Sequence, residues 1–175
     1  MELLKTNMTN PTVATADSAK PAYVAALELA YGAPSQAGFG SAVFYERLPI
    51  TAALEEMALA KYQFFVGDLW ERYGADAWLG LWRRLYTRSD GAPRNIVVEL
   101  HALKDRGAAQ VAALLIDDVE DAESARAALV AAFDDPAVTE LAVYNLGDGG
   151  AMNGLLVAGW RQAPHEAIFL VFLID

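Results

Sequence analysis

Hydrophobic and polar positions in the first part of the chain follow the period of a helix. Between Pro21 and Gly32, apolar side chains recur every three or four residues. The apolar face consists of Tyr23, Leu27, Ala30 and Tyr31. Proline suits a first turn, while Gly32 followed by Pro34 suits an end. Asp17 and Ser18 are the candidate capping residues, so the pattern predicts a first helix here.

Two further helices are predicted before residue 90. The earlier one begins with Thr51 as its N-cap and ends at Tyr73-Gly74. Its core positions are Leu54, Met57, Ala58, the stem of Lys61, Phe65 and Leu69. The later one covers residues 76–85, where four apolar side chains share one face. These are Trp78, Leu81, Trp82 and Leu85. Residues 42–48 are expected to form a short strand or extended chain.

After residue 95 we interpret the pattern as mainly strands. Strands are predicted at residues 96–103, 110–116, 138–146, 154–160 and 166–174, with one helix at 122–133. The loop Gly147–Gly150 is expected to be a hairpin connection. The resulting order, ββαβββ, resembles that of profilin-like sensor and adaptor folds such as PAS and longin domains. The resemblance concerns topology over residues 95–175 and does not determine a function.

The last predicted strand constrains the architecture most. Residues 167–174 are apolar without alternation, so this strand must be buried on both faces. Helices from the first half, or a second subunit, must cover the face that the helix at 122–133 leaves open. We therefore predict a single α+β domain over residues 1–175. Its parts are an N-terminal arm (1–16), a layer of about three helices (17–90) and a five-stranded, mainly antiparallel sheet layer (95–175).

Composition and charge exclude several classes of function. The 175 residues include no cysteine, which excludes disulfides, thiolate metal sites and a cysteine nucleophile. A hydrophobic content of 55% excludes a disordered chain. The formal net charge of −10 argues against nucleic-acid binding, which needs clustered basic charge. No secretory signal and no apolar run of about 20 residues is present, so we expect a soluble, cytoplasmic protein without a membrane partner.

Four residues are candidates for binding a small molecule: Glu99, His101, Tyr144 and Trp160. Glu99 and His101 lie two residues apart on a predicted strand and would therefore share a face. Such a pair can perform acid–base chemistry or bind a metal. The alternative, which we favour, is a solvated face of an edge strand. Tyr144 and Trp160 would supply polar groups in an apolar pocket between sheet and helices.

A second group of candidates combines aromatic and basic side chains: Trp82, Arg83, Arg84 and Arg88. Arginine and tryptophan are enriched at protein interfaces, so this cluster is a candidate partner-binding site. The favoured alternative is that the tryptophan packs on the sheet and the arginines solvate a helix end. The acidic run Asp117–Asp121 lacks the glycine and the terminal glutamate of a calcium loop, and we interpret it as helix capping. We predict no metal and no cofactor.

No nucleophile-elbow, zinc-peptidase, Walker or dinucleotide-binding motif occurs in the sequence. We therefore predict a non-catalytic interaction or adaptor module, similar in role to a chaperone, inhibitor or sensor. It would act on a basic partner through an acidic surface, and a homodimer is possible. The alternative is a small-molecule-binding protein or enzyme with an apolar pocket between the sheet and the helices. Enzymatic activity is the less favoured of the two.

Overall fold

A computed structural model describes residues 19–47 and 53–175 of the chain. The helices are α1 (Ala22–Tyr31), α2 (Leu54–Val66), α3 (Asp68–Tyr73), α4 (Ala75–Leu79), α5 (Ile96–His101), α6 (Arg106–Asp117) and α7 (Ala122–Phe133). The strands are β1 (Gly40–Arg47), β2 (Arg83–Thr87), β3 (Val138–Gly147), β4 (Asn153–Arg161) and β5 (Glu166–Ile174). None of these described helices is long and apolar enough to cross a membrane.

The five strands form one antiparallel sheet in the order β1-β5-β4-β3-β2. This confirms the predicted α+β class and the five-stranded antiparallel sheet. Helix α7 and strands β3, β4 and β5 lie where the sequence predicted them, within one residue at each end. The loop at 147–150 joins β3 to β4, as expected of a hairpin connection.

Helices cover both faces of the sheet. On one face, α1, α5, α6 and α7 enclose a core that includes Val143, Val157 and Leu170. On the other face, the hydrophobic side chains of α2, α3 and α4 pack against residues such as Phe169 and Val171. Strand β5 therefore sends alternate side chains into two separate cores, and nearly all of its residues are buried. The prediction that the last strand is buried on both faces is confirmed.

The strands predicted at 96–103 and 110–116 are wrong, because these segments form α5 and α6. Each helix has a polar N-cap: Asn95 accepts a hydrogen bond from the backbone N–H of Val98, and Asp105 from that of Ala108. The order ββαβββ therefore does not occur in residues 95–175, and the topological resemblance to PAS and longin domains loses its basis. The two remaining strands of the sheet, β1 and β2, come from the first half of the chain.

The helix predicted at residues 76–85 is also wrong beyond its first turn. Helix α4 ends at Leu79, and the chain then becomes extended because β2 pairs with β3 along the sheet edge. The preceding predicted helix is divided at Gly67, whose positive φ of 61° interrupts helical geometry and separates α2 from α3. Several predicted features lie outside the described residues: the N-terminal arm (1–16), the capping residues Asp17 and Ser18, and the N-cap Thr51.

Candidate functional site

The structure places Glu99 and His101 on different sides of α5. Two successive residues of a helix differ by about 200° in direction, whereas on a strand they share a face. The carboxylate of Glu99 accepts hydrogen bonds from Arg88 (2.7 and 2.5 Å) and from the Tyr86 hydroxyl (2.9 Å). His101 instead has its Nε2 2.9 Å from the carboxylate of Asp117. The two side chains do not form the acid–base pair that a strand would have allowed.

Tyr144 and Trp160 belong to the opposite face of the sheet from α5. Trp160 of β4 is paired with Glu140 of β3, which is four residues before Tyr144 on the same strand. Four residues of a strand span roughly 13 Å, so the two side chains are far apart. Four cavities of the described residues are lined by other side chains. The structure therefore does not bring Glu99, His101, Tyr144 and Trp160 together, and their binding of a ligand stays a prediction.

The buried ring of Tyr144 is part of an aromatic stack. It lies parallel to Trp82 at a centroid distance of 4.6 Å, and Trp82 in turn stacks on Tyr62 at 5.8 Å. Burial raises the pKa of Tyr144, and burial likewise raises the pKa of Tyr62 to about 12, so both phenols remain neutral at physiological pH. The Tyr62 hydroxyl donates to the carbonyl of Gly147 at 3.2 Å. Trp82 thus has an intramolecular packing role, as the favoured alternative expected.

The arginines of the predicted partner-binding cluster are engaged within the chain. Arg83 forms an ion pair with Asp105 at 2.6 Å, and Arg84 forms one with Glu55. Both arginines belong to the edge strand β2, and the Arg84 guanidinium lies 5.8 Å from the centroid of the Tyr144 ring. Both guanidinium groups therefore already have an acidic partner within the chain, and the role of this cluster in partner binding stays a prediction.

Arg88 is the buried member of that group, with a side chain only 6% exposed. It forms ion pairs with Glu99 (2.5 Å) and Asp134 (2.7 Å), and it donates to the carbonyl of Phe133 at 2.6 Å. Burial alone would lower the pKa of Arg88, but the two carboxylates raise it overall. This network connects the end of β2 to α5 and to the end of α7, so Arg88 has a structural role, and its role in partner binding stays a prediction.

A second buried polar network lies where β4 meets β5. The Glu166 carboxylate accepts hydrogen bonds from the hydroxyls of Tyr23 (2.9 Å) and Tyr45 (2.8 Å). Burial and the bond to Glu166 raise the pKa of Tyr23. The guanidinium of Arg161 stacks on the Tyr23 ring at 3.8 Å. These contacts join α1, β1, β4 and β5, and sequence reasoning missed them because the partners lie more than a hundred residues apart in the chain.

Four carboxylates at the junction of α6 and α7, the last of them in the first turn of α7, form what we call the acidic turn: Asp118, Glu120, Asp121 and Glu123. Asp121 caps α7, accepting hydrogen bonds from the Ser124 backbone N–H (3.0 Å) and hydroxyl (2.6 Å). These bonds lower the pKa of Asp121 and confirm the predicted capping role. Asp118, Glu120 and Glu123 are exposed and form no ion pair with any described residue.

The acidic turn borders a groove of about 320 Å³ between α1 and α7, which we call the α1–α7 groove. Its lining residues are Ala26, Leu29 and Ala30 from α1, Val119, Glu120 and Asp121 from the turn, and Ser124 and Ala125 from α7. Leu29 is 90% exposed, the highest value among the large exposed hydrophobic side chains of the described residues. The sequence analysis did not identify Leu29. Its position outside the apolar face of the predicted helix could have indicated an exposed leucine.

Among residues 19–47 and 53–175, no group of three or more histidine, aspartate or glutamate side chains could hold a metal ion. In comparisons with known proteins, the chain matches no family model, and no curated protein or solved structure shows significant similarity to it. The function must therefore be inferred from the surface of this chain alone.

Proposed function

We propose that the protein is a non-catalytic interaction module that binds a basic protein partner through the acidic turn. Such a module would serve as an adaptor, chaperone or inhibitor. The observation that carries the proposal is the group of exposed carboxylates on the acidic turn, which lack a cation among the described residues. Unpaired charge of one sign on one surface favours a partner of the opposite sign.

Internal ion pairing explains why the surface charge is so one-sided. Most cations of the described residues are already neutralised by carboxylates of the same chain. The pairs are Lys20–Glu28, Arg47–Glu166, Lys61–Glu46, Arg83–Asp105, Arg84–Glu55, Arg88–Glu99, Arg126–Asp117 and Arg161–Asp135. The net charge of −10 therefore resides largely in acidic side chains that remain available to a partner.

Exposed charges of this kind act more on association than on final affinity. A single exposed ion pair contributes roughly 0–1 kcal/mol and is screened by salt. Several carboxylates together raise the association rate, and this rate falls steeply as ionic strength increases. The proposal thus expects salt-sensitive binding. A second copy of this chain carries the same negative charge, so the acidic turn is not the surface for the homodimer, which stays a prediction.

The test compares two triple variants that have the same net charge. The first neutralises the acidic turn: Asp118→Asn, Glu120→Gln and Glu123→Gln. The second neutralises exposed carboxylates elsewhere: Glu56→Gln, Asp90→Asn and Glu140→Gln. Each purified protein is immobilised, exposed to a lysate of the source organism and eluted with increasing NaCl, and the retained proteins are identified by mass spectrometry.

We expect the wild type and the second variant to retain the same basic protein, and the first variant to release it at much lower salt. Equal retention by the two variants would show that only total charge matters and would contradict the proposal. A retained protein that is acidic, or one whose elution ignores salt, would contradict it as well. The alternative of a small-molecule pocket has less support, because its four candidate residues do not converge.

A further inference from the structure

We infer that the α1–α7 groove anchors an apolar side chain of the partner beside the acidic turn. The segment recognised is then a peptide in which a leucine, methionine or phenylalanine is flanked by lysine or arginine. This inference rests on the proposed function, because it describes what that same surface selects. It adds a shape requirement to the charge requirement.

Leu29 of α1 lies at the edge of the α1–α7 groove. Isolated exposed leucines are common on protein surfaces and need no explanation. Leu29, however, borders a recess, because its neighbours along the same side of α1 are the small residues Ala26 and Ala30. On the opposite wall, Val119 and Ala125 continue the apolar lining. A leucine at the rim of an apolar recess offers contact area that one apolar side chain of a ligand can cover.

The recess is built on a rigid base. Val24 and Leu27 of α1 are fully buried in the same core as Ala128 and Leu129 of α7. Two packed helices therefore form most of the groove wall, and the segment between α6 and α7 forms the rest. A preformed recess lowers the entropic cost of binding, since the protein has little left to order.

Charge complementarity identifies the partner chemistry. Among the described residues that line the groove, Glu120 and Asp121 are charged and none is basic. The nearby cation Arg126 already pairs with Asp117. The N-terminus of α7 contributes only about half a positive charge, which the four carboxylates of the acidic turn exceed. A ligand in the groove therefore meets apolar contacts below and a negative field at one end, which suits an apolar residue flanked by cations.

A peptide-display selection tests this inference without knowledge of the natural partner. The full-length wild-type protein is used to select from a library of random twelve-residue peptides, and the enriched peptides are synthesised. Their affinities are then measured by calorimetry for the wild type, Leu29→Ala and a matched control, Val98→Ala. Val98 is 58% exposed on α5, outside the groove, so both substitutions remove an exposed apolar side chain.

We expect enriched peptides with an apolar residue between lysines or arginines, and affinities at least tenfold weaker for Leu29→Ala but unchanged for Val98→Ala. Basic peptides that bind Leu29→Ala as tightly as the wild type, yet fail to bind the acidic-turn triple variant, would overturn the groove inference and leave the proposed function standing. Enrichment of acidic or uncharged peptides, or of none, would overturn this inference. The lysate experiment with the two triple variants then decides separately whether the proposed function fails too.

Discussion

Among the residues that form ion pairs, we expect Arg88 to contribute most to the free energy of unfolding. Its buried guanidinium faces two carboxylates, Glu99 and Asp134, and removal would leave both without their cation. Removing one partner of a buried ion pair typically costs about 3–5 kcal/mol. We expect Arg88→Ala to lower the free energy of unfolding by about this amount, measured by urea denaturation at neutral pH.

A matched control is Arg83→Ala in β2, the strand that Arg88 directly follows. Arg83 pairs with Asp105 at the surface, where an ion pair contributes about 0–1 kcal/mol, so only a small change is expected. Arg88→Lys should fall between the two, because one ammonium group cannot reproduce the planar set of donors that Arg88 offers. Equal losses for Arg88→Ala and Arg83→Ala would show that burial of the network does not determine its contribution.

At this scale, the sequence was informative for residues whose role is local. The capping role of Asp121 was predictable, because it depends on residues three positions away. The partners of Glu99 were not, since Arg88 and Asp134 approach it from β2 and from the end of α7. Leu29 was visible as a leucine outside the predicted apolar face, yet its exposure beside a groove depends on how α1 packs against α7.

The N-cap of α6, Asp105, stabilises the fold by an amount that depends on pH. The Asp105 carboxylate accepts a hydrogen bond from the Ala108 backbone N–H at 2.9 Å. That bond, with help from Arg83, lowers the pKa of Asp105 below its usual value. The carboxylate therefore stabilises the fold fully above the unfolded pKa of about 4, and this contribution is lost as the pH falls through the lower folded value.

We expect Asp105→Ala to cost about 1 kcal/mol at pH 7, the usual effect of removing an N-cap. The difference from the wild type should shrink as the pH is lowered through the acidic range, measured as urea midpoints along a pH series. Asp105→Asn keeps a capping oxygen without the charge, so at pH 7 it should lose only the part that depends on charge, and its difference from Asp105→Ala should not change with pH. A difference between Asp105→Ala and the wild type that stays constant down to acidic pH would mean that the carboxylate charge adds nothing.

The segment that became α5 and α6 shows why element type was predicted wrongly. In α6 the buried residues recur at helical spacing, so the helical signal was present. They are Ala108, Val111, Ala112, Leu115 and Ile116. In α5 the β-branched run Ile96–Val98 favoured a strand, while the six-residue helix is too short to show a period. Packing of α5 against α6 and α7 overrides that local preference, which a single sequence does not reveal.

For the molecule as a whole, one sequence feature predicted the arrangement of layers. The unalternating apolar residues of β5 required cover on both faces, and the structure provides it with α1, α5, α6 and α7 on one face and α2, α3 and α4 on the other. It was less predictable from the sequence which helices and strands belong to each layer. The sheet recruits β1 and β2 from the first half, because antiparallel pairing with β5 and β3 satisfies backbone groups along both sides of the central strands.

This layering predicts a gradient of local stability across the sheet, which amide hydrogen exchange can measure. Strands β4 and β5 have a paired neighbour on each side and helices on each face, so their amides should exchange slowest. Strand β2 is an edge with partly exposed side chains and should exchange fastest. Strand β1, also an edge, is an internal control, because its Val43 N–H donates to the Gly32 carbonyl at 3.0 Å and should be protected. Exchange in β5 as fast as in β2 would contradict the two-sided cover on which the fold depends.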